Sequence, residues 1–334
     1  MKKTDKSIPA PESFREIAGA FQRARIFLTA YELDIFTAIG EGSNSAGIAK
    51  KIKADVRATD RLLNALCAMG IITKKKDMFY NTAASADFLS KDGLEYMGGL
   101  SHTAHLWHTW STLTDAVRAG RSVFKTPIGK RGEEWLTGFI AAMHERAHKT
   151  APHIAALIDF SGVSKILDVG GGSAAYSMAF VKANKGLKAT IFDLPEVVPI
   201  TTGYIKKEKL SKSIDTTPGD YNKNTFGTDL YDMIFLSAII HINSPLENEK
   251  LIARCARALR KGGRVVVLDF IMDDDRTSPA FAAFFALNML VGTDSGDTYT
   301  RSEVAAWMKK AGLSKITKKE TPFGTSLITG KKAA

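Results

Sequence analysis

An apolar run, Ile166-Leu167-Asp168-Val169, passes straight into Gly170-Gly171-Gly172 and then into Ser173-Ala174-Ala175-Tyr176, where a helical pattern begins. Strand, glycine turn and helix in that order is the opening step of a doubly wound α/β sheet. Glycines at such a turn let the backbone bend sharply and let a ligand approach without a Cβ in the way. No other stretch of the chain restricts the fold as much.

The rest of the C-terminal half follows the same alternation. Strands are predicted over Lys165–Val169, Ala189–Phe192, Met233–Leu236 and Arg264–Phe270, with helices over Tyr176–Ala183, Leu246–Leu259 and Arg301–Ala311. Ile316–Glu320 and Ser326–Thr329 read as a closing hairpin. Strands alternating with helices imply a Rossmann-like, mostly parallel sheet. The N-terminal pattern is different. Helical periodicity from Phe14 to Ile39, then over Ala46–Ile52 and Arg57–Met69, is followed by Ile71–Thr73, a lysine turn and Met78–Asn81. Helices followed by a hairpin make a winged helix. The expected organisation is a winged-helix domain over 1–100, a helical linker and pocket region over 101–160, and an α/β domain over 161–334.

Bulk properties exclude several classes. The formal charge of +11 invites a nucleic-acid reading, but the lysines are scattered (Lys50-Lys51, Lys74 to Lys76, Lys206-Lys207) and form no basic stripe with aromatics. Apolar stretches are strand-length, too short for a membrane span, and the charged N-terminus leads into no signal sequence. Cys67 and Cys255 lie in apolar helical contexts, where they pack rather than pair. A cytoplasmic protein is expected.

The glycine spacing suits either a nicotinamide cofactor or S-adenosylmethionine. Asp168 favours the second, because a carboxylate just before the glycines can hold an ammonium group and would repel a pyrophosphate. Asp193, ending the next strand, is placed for ribose hydroxyls, as in both cofactor classes. Gly170 and Gly172 are the turn positions.

Three consecutive motifs, Asp168-Val169-Gly170-Gly171-Gly172, Phe192-Asp193-Leu194-Pro195 and Pro218-Gly219-Asp220-Tyr221, resemble those of the caffeate and hydroxyindole O-methyltransferases. Leu236 to His241 and Leu259 to Arg264 continue the likeness, which covers nearly the whole chain. The resemblance implies an S-adenosylmethionine-dependent O-methyltransferase of a small, phenolic or enolic acceptor, working as an intertwined homodimer without nucleic acid or membrane. It implies Asp193 and Leu194 at the ribose, Asp220 and Tyr221 along the adenine, and His241 as the base. Met143 corresponds to a substrate-contacting methionine, and Trp107, Trp110, Phe139, Phe285 and Met289 are candidates for the same cavity. The chain departs from the family at several places. Ile242-Asn243 replaces Asp-Trp, and Ser237 stands at the cofactor-contacting lysine of plant members. The two acids that orient the histidine map onto Asp269 and Thr298. Ala174 stands where the family's loop has a further glycine.

His144-Glu145-Arg146-Ala147-His148 matches H-E-x-x-H, but Ala151 and Ile154 occupy the positions at which a longer zinc motif needs glycine and histidine. No metal is expected there, and the histidines between His102 and His153 read as pocket wall and surface. The competing functions are a winged-helix DNA-binding regulator, a nicotinamide oxidoreductase, and a methyltransferase of carbon or nitrogen acceptors. The would-be recognition helix, Arg57–Met69, has too broad an apolar stripe to face a groove.

Overall fold

The computed structural model describes residues 11–124 and 132–334. The chain divides into two compact units, one ending at Leu106 and the other spanning Trp107–Ala334.

In the first unit, α1 (Pro11–Glu32) and α2 (Ile35–Ile39) replace the single helix expected from Phe14 to Ile39. The break has a local cause: Asp34 takes φ 56°, and its carboxylate then accepts from the Thr37 hydroxyl. Helices α3 (Ser45–Ile52) and α4 (Val56–Ala68) start on Asn44 and Asp55, whose side chains each cap a backbone N–H. The hairpin of β2 (Ile72–Lys75) and β3 (Met78–Asn81) turns at Lys76 and gains a short third strand, β1 (Ser43–Asn44), paired to β3. Ile35, Phe36, Ile48, Leu63, Leu66 and Phe79 make the core. A short helix, α5 (Ala83–Leu89), follows, with a capping box at Thr82 and Ser85.

Helix α6 (Leu100–Trp110) crosses the division between the units, and α7 (Leu113–Ala119) and α8 (Glu133–Leu157) precede the sheet. Sequence patterning set these helices apart as a region of their own. The structure packs α8 into the second unit, because Ile154 and Ala155 join the core cluster beneath the sheet. The sheet contains β4 (Lys165–Val169), β5 (Lys188–Asp193), β6 (Ile214–Pro218), β7 (Tyr231–Ser237), β8 (Leu259–Asp269), β11 (Leu313–Glu320) and β12 (Ser326–Lys332), in the order β11-β12-β8-β7-β4-β5-β6. A minor parallel pair, β9 (Ile271–Met272) and β10 (Tyr299–Thr300), lies apart from it. Strands β6 to β8 run parallel with β4 and β5, and β12 is antiparallel to β8. Successive strands extend from β4 in one direction as β5 and β6, then in the other as β7 and β8. That reversal opens a crevice at the carboxyl ends of β4 and β7, where doubly wound sheets bind ligands. Helices α9 (Ala175–Ala183), α10 (Val198–Lys207), α11 (Pro245–Ala258), α12 (Ala280–Gly292) and α13 (Arg301–Lys310) complete the unit. Among the described residues, no helix is long and apolar enough to cross a membrane.

Candidate active site

The site begins where β4 ends. Gly170 and Gly172 adopt φ of 67° and 55°, and a Cβ on Gly170 would lie 2.2 Å from Ile239 Cδ1. The backbone therefore passes through a space that a side chain would fill. Asp168 sits behind this turn rather than on its surface: it is 2% exposed, and its Oδ2 accepts from the Ser177 hydroxyl at 2.7 Å. Its Oδ1 is buried with no hydrogen-bond partner. Burial pushes the Asp168 pKa up to about 7, against the bond from Ser177, and the nearby charge of Asp193 adds to the rise.

Asp193, at the end of β5, holds the turn from the other side. Its Oδ2 accepts from Gly172 N at 2.8 Å and its Oδ1 from Leu194 N at 2.8 Å. Burial raises its pKa, while those two backbone bonds oppose the rise. Leu194 beside it is 42% exposed. The segment after β6 is drawn in by Gly219 N, which donates to Asp193 O at 2.8 Å. Asp220 caps its own turn through Asn222 N and pairs with Lys223 at 3.1 Å. The Tyr221 hydroxyl donates to Asn243 at 3.3 Å, and burial pushes its pKa up to about 12. Ser237 ends β7, paired with Leu268 of β8.

These groups suit the ligand read from the sequence. Two carboxylates meet at one sheet edge, one with a buried oxygen that lacks a partner, beside a glycine turn that has no room for a side chain. An S-adenosyl ligand offers an ammonium group and a ribose diol to such a set, whereas a pyrophosphate would bring negative charge beside it.

His241 lies on the 3₁₀ turn Ile240–Ile242 just after β7, and Asp269 ends the neighbouring β8. His241 Nδ1 is 2.7 Å from Asp269 Oδ1, which also accepts from Phe270 N at 2.8 Å. A carboxylate oxygen only accepts, so Nδ1 carries a proton, and in the neutral ring Nε2 is the acceptor. The backbone of His241 is pinned as well. Asp297 N donates to His241 O, and a Cβ on Gly296 would lie 2.4 Å from that oxygen. Phe285 of α12 stands edge-on to the imidazole at 4.9 Å, and Phe270 packs on Phe285 at 4.6 Å. The two departures downstream have structural work of their own. Asn243 is buried and bonded to Asn248 and Tyr221, while Thr298 donates to Met272 Sδ and Ala282 O and makes no bond to His241. Of the two mapped acid positions, Asp269 is the one bonded to the ring.

The acceptor candidates divide. Phe285 reaches the imidazole, and Met289 is buried one turn further along α12. Met143 is partly buried on α8, and Phe139 stacks on Trp135 at 5.1 Å. Trp107 opens the second unit on α6, while Trp110 bonds through Nε1 to Asn288 of α12 at 2.9 Å. Sequence reading missed Phe270, Gly296 and Arg146, whose guanidinium lies over the Phe270 ring at 5.4 Å. Only Phe270 carried a signal, as the residue after the orienting acid. Of the H-E-x-x-H histidines, His144 bonds Ser173 and stacks on Tyr204. Among the described residues, no three His, Cys, Asp or Glu side chains are grouped to hold an ion.

Comparison with known proteins agrees with this geometry. The O-methyltransferase domain family matches residues 110–314, and the O-methyltransferase dimerisation domain family matches residues 16–91. The 3-hydroxy-5-methyl-1-naphthoate 3-O-methyltransferase of Streptomyces sahachiroi is 29% identical, over 97% of this chain and 96% of its own. Human acetylserotonin O-methyltransferase is 27% identical over 92% of this chain and 93% of its own. The crystal structure of human N-acetylserotonin methyltransferase with S-adenosylmethionine superposes with a TM-score of 0.81 at 25% identity, covering 99% of this chain and all of that one. A strand-end glycine turn flanked by two carboxylates, with a histidine and acid on the adjoining strands, thus belongs to a known lineage: the chain is a member of the S-adenosylmethionine-dependent O-methyltransferase family, with an N-terminal dimerisation domain, and it transfers a methyl group to a hydroxyl.

Proposed function

We propose that His241 is the general base and that the acceptor is an aryl hydroxyl, held on Phe285 and Phe270. The observation that carries this reading is the 2.7 Å bond from His241 to Asp269 beside a wall of phenylalanines. S-adenosylmethionine, when bound, supplies an electrophilic methyl on sulfonium. Gly170, Gly172, Asp168, Asp193, Leu194, Asp220, Tyr221 and Ser237 are the residues that would hold it. A phenol of pKa about 10 is a weak nucleophile at neutral pH, so a base in contact with the hydroxyl speeds transfer. Nε2 of His241 takes the phenolic proton. Asp269, already bonded at Nδ1, stabilises the imidazolium that results. Phe285, edge-on to that imidazole, and Met143 and Met289 give the ring an apolar seat, and Trp107 and Phe139 belong to the same proposed wall.

Arg146 narrows the acceptor further. Its guanidinium lies over Phe270 and has no carboxylate at ion-pair distance among the described residues. Phe270 lies 6.3 Å from the imidazole, so an acceptor with its hydroxyl at His241 and an anionic group elsewhere on its ring system can reach Arg146. The Streptomyces relative, by its name, acts on a hydroxynaphthoate. Methyl transfer to 3-hydroxy-1-naphthoate and to 2-naphthol tests the reading. The carboxylate should raise kcat/KM at least about tenfold, and Arg146→Gln should abolish the difference. Transfer to amine or carbon acceptors with none to either naphthol would overturn the proposal.

The first unit we read as a winged helix that dimerises rather than binds DNA. Phe14, Ile17 and Phe21 form an exposed apolar stripe along α1 at helical spacing. On α4, Asn64 is engaged locally with Asp60 and Lys74. Both cysteines are free thiols, which suits a cytoplasmic enzyme.

A further inference from the structure

We propose that His144 is a positioning residue for the cofactor loop, holding Ala174 in the left-handed conformation that closes the turn. The proposal rests on the reading that Gly170 to Ala174 carries the cofactor. Its observations come from α8 and α10 as well as from the loop itself.

Ala174 has φ 63° and is fully buried, at the helix N-cap position of α9. Residues with a Cβ resist this conformation, and surrounding structure must over-determine it when it occurs. The bonds around Ala174 do so. Gly172 N donates to Asp193, and Gly172 O accepts from the Thr201 hydroxyl of α10 at 2.5 Å. Ala174 N donates to Gly171 O at 2.8 Å. Between these, Ser173 Oγ lies 2.8 Å from His144 Nδ1. Ser173 is buried, so that bond is its side chain's anchor.

The imidazole is itself held in place. Tyr204, one helical turn beyond Thr201 on α10, stacks on it at 4.1 Å, and His148 stacks from within α8 at 5.3 Å. Burial first, and the neighbouring His148 second, keep the His144 pKa below its ordinary value, while Glu208 opposes and Lys207 assists. His144 therefore bonds Ser173 as a neutral ring. Ile140, one turn earlier on α8, faces the same loop, its Cδ1 3.7 Å from where a Gly172 Cβ would stand. Helices α8 and α10 thus meet over the turn, with His144 the polar contact from α8 and Thr201 the one from α10.

The test is calorimetry of adenosylhomocysteine with the full-length enzyme, alongside steady-state methyl transfer. His144→Phe keeps the stack and removes the bond, and it should weaken binding about 3- to 10-fold. KM for the cofactor should rise by the same factor, with kcat at saturation within about twofold. Ser173→Ala should act alike, and the double variant should be no worse than either single one. His144→Asn, which keeps a polar atom near the Nδ1 position, should recover most of the affinity. Ala174→Gly should rescue His144→Phe, since glycine needs no help at φ 63°. Wild-type affinity in His144→Phe, additive singles, or failure of Ala174→Gly to rescue would each overturn the proposal. If the wild-type enzyme bound no adenosylhomocysteine, the cofactor reading of the loop would fail instead.

Discussion

Replacing Asp269 with Asn separates the charge of the orienting group from its shape. Oδ1 of Asp269 accepts two bonds, from Phe270 N at 2.8 Å and from His241 Nδ1 at 2.7 Å. The Phe270 amide can only donate, so in Asp269→Asn it holds the amide oxygen in the Oδ1 place and sends the NH₂ to the Oδ2 place. His241 keeps its tautomer, and Nε2 keeps its lone pair. What disappears is the negative charge facing the imidazolium that forms as the acceptor loses its proton. A hydrogen bond to a charged group is worth about 1.5–3 kcal/mol, so kcat should fall by about 10- to 150-fold. The fold should tolerate the change, because Oδ2 is already buried without a partner and the NH₂ exchanges one unpaired group for another. Single-turnover transfer at saturating cofactor gives the rate, a thermal melt checks the fold, and adenosylhomocysteine calorimetry checks the cofactor site. An unchanged rate would mean that Asp269 only packs against the ring. A loss as large as that from removing the imidazole would mean that the tautomer had inverted and that the Phe270 amide does not anchor the oxygen.

Two further outcomes follow from the structure. Asp168 has a folded pKa of about 7 against an ordinary 3.8, so the ligand-free fold holds that proton more tightly than the unfolded chain. Its contribution to stability is therefore present at low pH and lost as pH rises from about 4 to about 7, by about 4 kcal/mol at most. Asp168→Asn should flatten that part of the melting-temperature profile, and parallel profiles for the two proteins would contradict the assignment. Light scattering at micromolar concentration should give about twice the 36.3 kDa chain mass, and Ile17→Asp with Phe21→Asp should yield monomers. A wild-type monomer would rule out the α1 stripe as an interface.

Much of the second unit was legible because its central strands are buried on both faces. Ile166-Leu167-Asp168-Val169 and Met233 to Leu236 are nearly continuous apolar runs, and no surface role competes with that reading. β6 was not legible, since Ile214-Asp215-Thr216-Thr217-Pro218 is a polar edge strand with only Ile214 buried. α12 was missed for the opposite reason. It is apolar on every side, with Phe281 and Phe284 exposed and Ala282 and Met289 buried, so it lacks helical periodicity. Spacing places Asp193 and Asp269 at strand ends but cannot show that Asp168 faces inward to Ser177, nor that Thr298 turns to Met272. The H-E-x-x-H match was set aside as a metal motif. Its actual bond, from His144 to Ser173, joins residues distant in the chain and leaves no trace in local sequence.

The central claim is that His241 accepts the proton of the acceptor hydroxyl, and His241→Ala tests it most directly. At saturating cofactor and acceptor, kcat should fall by roughly 10²–10⁴ while adenosylhomocysteine affinity stays within about twofold. A variant that turns over at nearly the wild-type rate would contradict the account and leave transfer to proximity alone.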